Sequence, residues 1–323
     1  MIDSIKIRLL PESSEFRWDI NKLKSRLQPV EKKEWNETTP LGRIKNIIVY
    51  WDRKEIKIEG SLAKYYNGNN VDNFDWIHVK PAIKLLSHEL DLPIEKGIIS
   101  RIDVGVNIVL IHIVKEYFVE LFYLEYYQRI NRNETTLRFE NNSHKYNLLF
   151  YDKLKENKER NKKKLIKDVD LGFITDAENL MRIELQIQER VSLFLKTKDV
   201  RVSSLFQPDF CKLLMRNWLD LYQNIYKKSV LSYPKRLKGN ADFEKFLKRY
   251  FVQNFGWKRL DYLMKKAVKQ GSLTASDKSK KLKQFRVAML DNSSFEFQEH
   301  TLELNHKVKV MYVEALKQIY RIN

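Results

Sequence analysis

The chain of 323 residues is predicted to be an α+β protein, in which a largely antiparallel sheet is followed by a helical region. Up to about residue 190, apolar and polar residues alternate along several segments, which is the pattern of half-buried strands. After about residue 195 the apolar residues recur at helical spacing instead. Gly and Pro number only 9 and 7, so few long loops are expected. A chain of this length usually forms more than one core, and we place a sheet domain at 1–195 and a helical domain at 196–323.

The predicted sheet domain contains more strands than helices. In its first strand, Ile5, Ile7 and Leu9 share one face. Strand patterns lie at residues 4–10, 43–53, the beginning of 55–68, 98–110, 135–140, 145–153 and 181–188. Helical spacing occurs at 81–92, where Pro81 suits the first helical position, and at 114–130. Strands interrupted by only these two helices favour an antiparallel arrangement.

The second half of the chain is predicted to be helical. Its helical segments are 208–228, 241–255, 257–271, 277–290 and 302–319. Between the third and fourth, Gly271 suits the position after a helix, and Thr274 with Asp277 resembles a capping box. The following helix is rich in lysine, including Lys280 and Lys281. Residues 257–290 are therefore interpreted either as a helix-turn-helix that reads DNA or as a helical hairpin without a ligand.

The charge of the chain is strongly positive. Lys and Arg total 60 against 42 acidic residues, which gives a net charge of +18. A protein with such a field attracts polyanions, of which nucleic acid is the commonest. The alternative is a lysine-rich surface that serves only solvation.

Cysteine content and the absence of long apolar runs indicate the compartment. Cys211 is the only cysteine, so there is no disulfide framework and no paired-cysteine metal site, and a reducing cytoplasm is expected. The first residues lack the pattern of a signal peptide. No apolar run approaches the roughly 18 residues that a membrane span requires, so no membrane partner is expected.

Polar residues share one face in several of the predicted strands, because residues two apart point to the same side. These sets are Arg101, Asp103, Gly105 and Asn107; Arg182, Glu184, Gln186 and Gln188; Asn147, Leu149, Tyr151 and Lys153; and Arg138 with Glu140. Gly105, inside its strand, leaves room for another group to approach the backbone closely.

Two interpretations of these polar faces remain open. Half-buried antiparallel strands ordinarily have one wet face, and Tyr151 is then a packed strand aromatic. If the strands are neighbours, Asp103 and Glu184, with Glu140 as a further candidate, converge and suit a hard cation such as Mg²⁺ or Mn²⁺. No other catalytic motif competes: the sequence has no Gly-rich phosphate loop and no HExxH, and its six histidines lack paired-ligand spacing.

Five short motifs follow one another along the first 195 residues. They are MIDSIKIRLL at 1–10, SLAKYYNGNN at 61–70, ISRIDVGV at 99–106, FYDK at 150–153 and LMRIELQIQER at 180–190. In order and spacing they resemble the motifs of the replication initiators of filamentous phages, the gene II protein family. Weaker likeness extends to plasmid rolling-circle initiators, and the helical C-terminal half matches less clearly.

The resemblance implies an activity. Such initiators nick one strand of a double-stranded origin with a tyrosine, which becomes joined to the 5′ phosphate while the freed 3′ hydroxyl primes rolling-circle synthesis. The displaced single strand is later cleaved and rejoined into a circle. Origin DNA is therefore the expected partner, in its duplex form and as displaced strand, together with a host helicase and polymerase.

The resemblance also assigns roles to residues. Tyr151 matches the nucleophile and Lys153 its companion, because both lie in the FYDK motif. A phenol has a pKa near 10, so a neighbouring cation is needed for attack at neutral pH. The metal candidates are Asp103, Glu184 and Glu140, and the DNA-contact candidates are Ser61, Lys64, Arg101, Asn107 and Arg182.

Two other functions are weighed against this one. A non-catalytic, sequence-specific DNA-binding protein could use the same sheet without the chemistry. Many rolling-circle nucleases hold their metal with a His-x-His pair, and this chain has only His112 in the stretch HIV at 112–114. A tyrosine recombinase is disfavoured, because its helical Arg…His-x-x-Arg…Tyr order is absent.

Overall fold

The structure is a computed structural model of the chain. It describes residues 1–11, 18–30, 40–52, 54–143, 145–164, 179–228, 239–290 and 297–322. No helix in these ranges is both long and apolar enough to cross a membrane.

Nine of the strands in the described residues form one large sheet, in which all neighbouring strands are antiparallel. The strands are β1 (Ile2–Leu9), β2 (Pro40–Ile44), β3 (Ile47–Trp51), β4 (Ile56–Ser61), β5 (Ile98–Val109), β6 (Leu121–Tyr123), β7 (Tyr127–Arg132), β8 (Thr136–Asn141), β9 (Tyr146–Asp152), β10 (Leu180–Ile187) and β11 (Tyr226–Lys227). Their order in the large sheet is β2-β3-β4-β1-β5-β10-β9-β8-β7, while β6 and β11 form a separate pair. The predicted α+β class with a largely antiparallel sheet is confirmed.

The described residues also form helices, some of which cover the apolar face of the sheet. They are α1 (Ile20–Ser25), α2 (Leu62–Asn67), α3 (Trp76–Leu90), α4 (Val114–Glu120), α5 (Lys153–Lys164), α6 (Val191–Leu195), α7 (Pro208–Gln223), α8 (Asn240–Phe255), α9 (Trp257–Lys269), α10 (Ala275–Leu290) and α11 (Glu299–Ile319). On the sheet, Ile102, Val104 and Val106 are fully buried and belong to the same apolar core as side chains of α3, α7 and α11. Each such side chain stabilises the fold by about 1.5–3 kcal/mol.

A second, smaller core lies among α8, α9 and α10. Val252, Trp257 and Leu282 pack there with Tyr226 of β11. The helices of the second half are thus shared between two cores, since α7 and α11 pack with the sheet. The domain boundary near residue 195 stays a prediction.

The predicted helix at 114–130 is wrong beyond its first two turns. Helix α4 ends at Glu120, and the chain then forms β6 and β7. The guanidinium of Arg129 in β7 donates to the carbonyls of Leu121 and Phe118, both at 2.8 Å. These bonds hold β7 against the end of α4 and the start of β6. The aromatic residues of this stretch also favour strands, and β6 finds a tertiary partner in β11 that sequence spacing does not reveal.

The predicted start of a helix at Pro81 is also wrong. Helix α3 begins at Trp76 and Pro81 lies inside it. The side chain of Gln318 in α11 accepts from the Trp76 amide at 3.3 Å and donates to Asp75 at 2.8 Å, so it caps the earlier start. Burial of Trp76 and Val79 draws the extra turn against the core.

Candidate active site on the polar face of the sheet

The strands β5, β10 and β9 lie side by side, so their polar faces form one surface. Residues directly opposite one another in antiparallel strands share a face. The register creates three rows across these strands: Asn107, Arg182 and Tyr151; Gly105, Glu184 and Leu149; and Asp103, Gln186 and Asn147. The sequence analysis predicted that Asp103 and Glu184 converge if their strands are neighbours. The two strands, β5 and β10, are neighbours.

A buried arginine organises this surface. The Arg182 guanidinium donates to Glu184 Oε2 at 2.9 Å and to Asn107 Oδ1 at 3.0 Å, and pairs with Asp3 Oδ2 at 3.1 Å. Burial alone would lower the pKa of Arg182, but the carboxylates of Asp3 and Glu184 hold it above its ordinary value. The arginine therefore stays charged and fixes the orientation of two acids.

Gly105 gives this guanidinium its space. A Cβ atom at Gly105 would lie 3.2 Å from both Nε and Nη2 of Arg182 and 3.1 Å from the Ile183 carbonyl. The close approach that the sequence indicated at this glycine is thus made, at least in part, by a side chain of the neighbouring strand.

We expect Gly105→Ala to lower the free energy of unfolding by about 1 kcal/mol. Crowding of a packed site costs about 1–3 kcal/mol, which exceeds the roughly 0.4–1 kcal/mol gained by restricting the unfolded chain. Gly105→Val should lower the free energy of unfolding further, because its two methyl groups press further on Arg182. Equilibrium urea unfolding measures both, and an alanine variant as stable as the wild type would contradict the tight packing.

Asp3 belongs to the site although the sequence analysis did not select it. Its Oδ1 accepts from Ser61 Oγ at 2.6 Å and from Asn70 at 3.3 Å. A register shift between Ile2 and Ile5 of β1 places Asp3 and Ser4 between two core residues, and both line the same pocket. The sequence contains a signal for this irregularity. Ile2 and Ile5 are three positions apart, whereas Ile5, Ile7 and Leu9 follow one another at intervals of two.

Burial raises the pKa of Asp3, but Arg182, assisted by Ser61, outweighs it and lowers the pKa to about 2. Asp3 is therefore ionised at neutral pH.

An open pocket of about 280 Å³ lies over the polar surface. It gathers six of the residues that the sequence predicted for the site: Ser61, Lys64, Arg101, Asp103, Tyr151 and Glu184. The other four do not line it. Arg182 and Asn107 are buried beneath, Lys153 lies behind Tyr151, and Glu140 is on β8, two strands away from β10.

Tyr151 is half-buried and its hydroxyl donates to Glu184 Oε2 at 3.2 Å. Burial, reinforced by the negative charge of Glu184, raises the pKa of Tyr151 well above its ordinary value of 10. The phenol is therefore protonated at rest, and the nearest acceptor for its proton is a carboxylate already in contact with it.

Asp103 is buried and is held by Arg101. Arg101 donates to both of its oxygens, at 3.1 and 2.7 Å. Burial raises the pKa of Asp103 to about 7, despite Arg101, and the charges of Glu184 and Asp3 add to the rise.

The donor set fits a hard divalent cation, because Asp103, Glu184 and the amide of Gln186 offer oxygen atoms in one pocket. Arg101 now holds Asp103, and its side chain is 30 % exposed, so it has a path to solvent if a cation takes its place.

Lys153 begins α5 at the end of β9. Asp152 caps this helix by accepting from the Lys155 amide at 2.9 Å. The Lys153 ammonium is buried, lies 2.7 Å from Glu156 Oε2, and stands 5.7 Å from the centre of the Tyr151 ring. Burial lowers its pKa, which the charge of Glu156 opposes. Lys153 is thus a cation beside the phenol rather than a group on the pocket wall.

Ser61 and Lys64 form the opposite rim of the pocket. Ser61 ends β4, caps α2 by accepting from the Lys64 amide at 3.2 Å, and donates to Asp3. The Ser-x-x-Lys spacing therefore has a structural cause, since the cap places Lys64 one turn into the helix beside the pocket. DNA contact by these residues, as by Arg101, Arg182 and Asn107, stays a prediction.

The pair α9 and α10 has the turn that the sequence predicted. Gly271 has a φ of 76°, and Thr274 Oγ1 accepts from the Asp277 amide at 3.0 Å. Within α10, Lys280 and Lys281 are exposed, whereas Lys278 pairs with Asp261 at 3.1 Å. The exposed lysines leave a basic helix face available, and its use in DNA binding stays a prediction.

Comparison with known proteins identifies a family for this chain. A family model for the N-terminal part of the phage replication-associated gene II protein matches residues 38–206, a little over half of the chain. The match begins before β2 and ends beyond β10, so it includes every residue of the pocket except Asp3 and Ser4. No curated protein matches the chain.

Proposed function

The chain belongs to the family defined by the N-terminal part of the phage replication-associated gene II protein, and we propose that it starts rolling-circle replication by nicking one strand of an origin and joining itself to the new 5′ end. The observation that carries this proposal is the position of Tyr151, whose hydroxyl faces a polar pocket and donates to the buried carboxylate of Glu184. An ordinary packed strand tyrosine would have neither a pocket in front of it nor an acid beneath it.

The proposed reaction moves one phosphodiester bond. The Tyr151 oxygen attacks the scissile phosphorus as its proton passes to Glu184, a bond forms between the tyrosine and the 5′ phosphate, and the bond to the 3′ oxygen breaks. The 3′ oxygen leaves as an alkoxide, takes a proton from water, and becomes the hydroxyl that a polymerase extends. The phosphotyrosine retains the energy of the broken bond, so rejoining needs no ATP.

The site also suits a divalent cation of the Mg²⁺ or Mn²⁺ type, held by Asp103 and Glu184. When bound, such an ion neutralises charge on the phosphate and favours loss of the phenol proton. Arg101 would then exchange Asp103 for a phosphate oxygen, because its guanidinium loses the carboxylate that it holds at 2.7 Å.

The proposed partner is origin DNA, both as a duplex and as the displaced single strand. Its scissile phosphate would enter the open pocket of about 280 Å³ in front of the half-buried Tyr151. Lys64 lines this pocket, and the net charge of +18 attracts the DNA backbone. A host helicase and polymerase complete the proposed partners.

The proposal is tested with a supercoiled plasmid that carries the cognate origin, incubated with the protein and Mg²⁺ or Mn²⁺. We expect a nick in one strand with protein attached to its 5′ end. Asp103→Asn and Glu184→Gln should each bind the origin and fail to nick it. Binding without nicking by the wild type under all metal conditions would favour the second candidate, a non-catalytic DNA-binding protein.

We expect Lys153→Met to slow nicking by about 10²-fold while the fold remains intact. The variant keeps the length of the side chain and removes the only charge that this position supplies near the phenol, an electrostatic loss of the size seen at preorganised sites. Lys155→Met, on the exposed side of the same helix turn, is the matched control and should nick normally.

A further inference from the structure

A second cluster of metal-binding side chains lies outside the pocket. His112 follows β5, Glu116 is in α4, and His300 is in the first turn of α11. Each offers one ligand atom, and these atoms lie within 4.8 Å of one another. His300 Nε2 is 3.3 Å from Glu116 Oε2, and the centres of the two imidazole rings are 4.3 Å apart. Among the described residues this is the group of three His, Cys or acidic side chains that meets such a spacing.

One atom of the cluster lacks the partner that burial demands. His112 Nε2 is buried and has no hydrogen bond, and the nearest carboxylate oxygen, from Glu299, is 3.9 Å away. A buried polar atom without a partner costs about 1–3 kcal/mol, so native sites usually supply one. A cation between the two histidines supplies it.

The surroundings hold the ligands in place. The Tyr117 hydroxyl accepts from the His112 amide at 3.2 Å and itself donates to Glu303. The Tyr117 ring stands edge-on to His300, with 5.1 Å between their centres. The first contact holds the backbone of His112, and the second packs against the ring of His300.

We propose that His112, Glu116 and His300 bind one Zn²⁺-type transition-metal ion. Two imidazole nitrogens and one carboxylate oxygen are a donor set that suits zinc and leaves a fourth position for water, whereas Mg²⁺ prefers oxygen ligands alone. Ligand atoms about 2.0–2.1 Å from a tetrahedral ion lie roughly 3.3 Å apart, and the His300 to Glu116 distance already has this value.

The proposed ion is structural and independent of the nicking reaction. None of its three ligands lines the pocket of Tyr151. Tyr117, which supports the ligands, is fully buried in the apolar core on the other face of the sheet. Glu116 and His300 are 184 positions apart, so the ion would fasten the C-terminal helix α11 to the segment that follows β5.

The test uses the full chain without a polyhistidine tag, freed of metal by chelator and dialysed into buffer with excess Mg²⁺. Calorimetric titration with Zn²⁺ should show one ion per chain, and Zn²⁺ at about 100 times its Kd should raise Tm by about 5 °C. His300→Ala should lose at least 100-fold in Zn²⁺ affinity and the Tm shift with it. His306→Ala, exposed on the same helix, is the matched control and should keep both.

Two further variants make the outcome decisive. Glu116→Gln removes an exposed ligand and should weaken Zn²⁺ binding even if His300→Ala fails to fold. Asp103→Asn alters the catalytic pocket and should bind Zn²⁺ like the wild type. Unchanged Zn²⁺ affinity in Glu116→Gln and His300→Ala, or its loss in Asp103→Asn, would overturn the proposal.

Discussion

Tyr151→Phe is expected to abolish nicking and the covalent protein–DNA product, with a rate loss of about 10⁴-fold or more. The substitution removes one oxygen atom, and that oxygen is the proposed nucleophile. The fold should persist, because the lost hydrogen bond to Glu184 is a single contact of 3.2 Å and the carboxylate keeps its bonds to Arg182 and Gln186.

The measurement follows the covalent product directly. A single-stranded origin oligonucleotide labelled at its 3′ end should transfer its label to the wild-type protein, because the tyrosine keeps the 5′ phosphate of the downstream fragment. Tyr146→Phe is the control on the same strand, where the ring packs against Phe194 instead of facing the pocket. Label transfer to Tyr151→Phe at the wild-type rate would place the nucleophile elsewhere.

Arg182→Met is expected to cause the largest loss of stability, about 3–5 kcal/mol at pH 7. Removing one partner of a buried ion pair leaves an uncompensated buried charge, and Arg182 serves two acids, Asp3 and Glu184. Because a whole domain is stable by only about 5–15 kcal/mol, the variant should unfold at a much lower urea concentration. The stability of Arg182→Lys should fall between that of the wild type and that of Arg182→Met, because an ammonium keeps the charge but loses the fork geometry.

The loss of stability in Arg182→Met should depend on pH. Arg182 lowers the pKa of Asp3 to about 2, against about 3.9 in an unfolded chain. A lowered folded pKa stabilises the protein above the unfolded value, and this contribution disappears as the pH falls from about 4 to 2. The difference between wild type and Arg182→Met should therefore shrink over that range.

Arg101→Met is the matched control for this prediction. Its partner Asp103 has a pKa of about 7 because of burial, so that acid can take up a proton when its arginine is lost. The Arg101 side chain is also 30 % exposed, so its removal should destabilise the protein much less. Equal losses in the two arginine variants would contradict a special role for Arg182.

The alternation of residues along three strands was enough to predict about half of the residues that line the pocket. Asp103, Glu184 and Tyr151 were placed correctly on a shared surface because the side-chain period of a strand is fixed by its geometry. The period alone did not distinguish residues that line the pocket from residues buried below it. Arg182, which is buried, was therefore grouped with the residues that line the pocket. That distinction depends on Gly105, which lets the guanidinium lie flat on the sheet.

Other features depended on contacts between distant segments. Asp3 entered the site through a bulge in β1, and Glu140 fell outside it because β9 separates β8 from β10. The end of α4 was mispredicted because β11, about a hundred residues later, pairs with β6. The approach of His300 to Glu116 across 184 positions has no local sequence signal at all.

The position of β10 has a consequence for how the protein folds. Among the strands that the structure describes, β10 alone joins β5 to β9, so without it the large sheet consists of two separate pieces with open edges. During synthesis both pieces precede β10, and their unpaired edges invite wrong pairing until it arrives. Pairings between strands so distant in sequence also form slowly. A chain that stops before Leu180 would carry Tyr151 but lack Glu184 and Gln186, so its polar pocket would not be assembled.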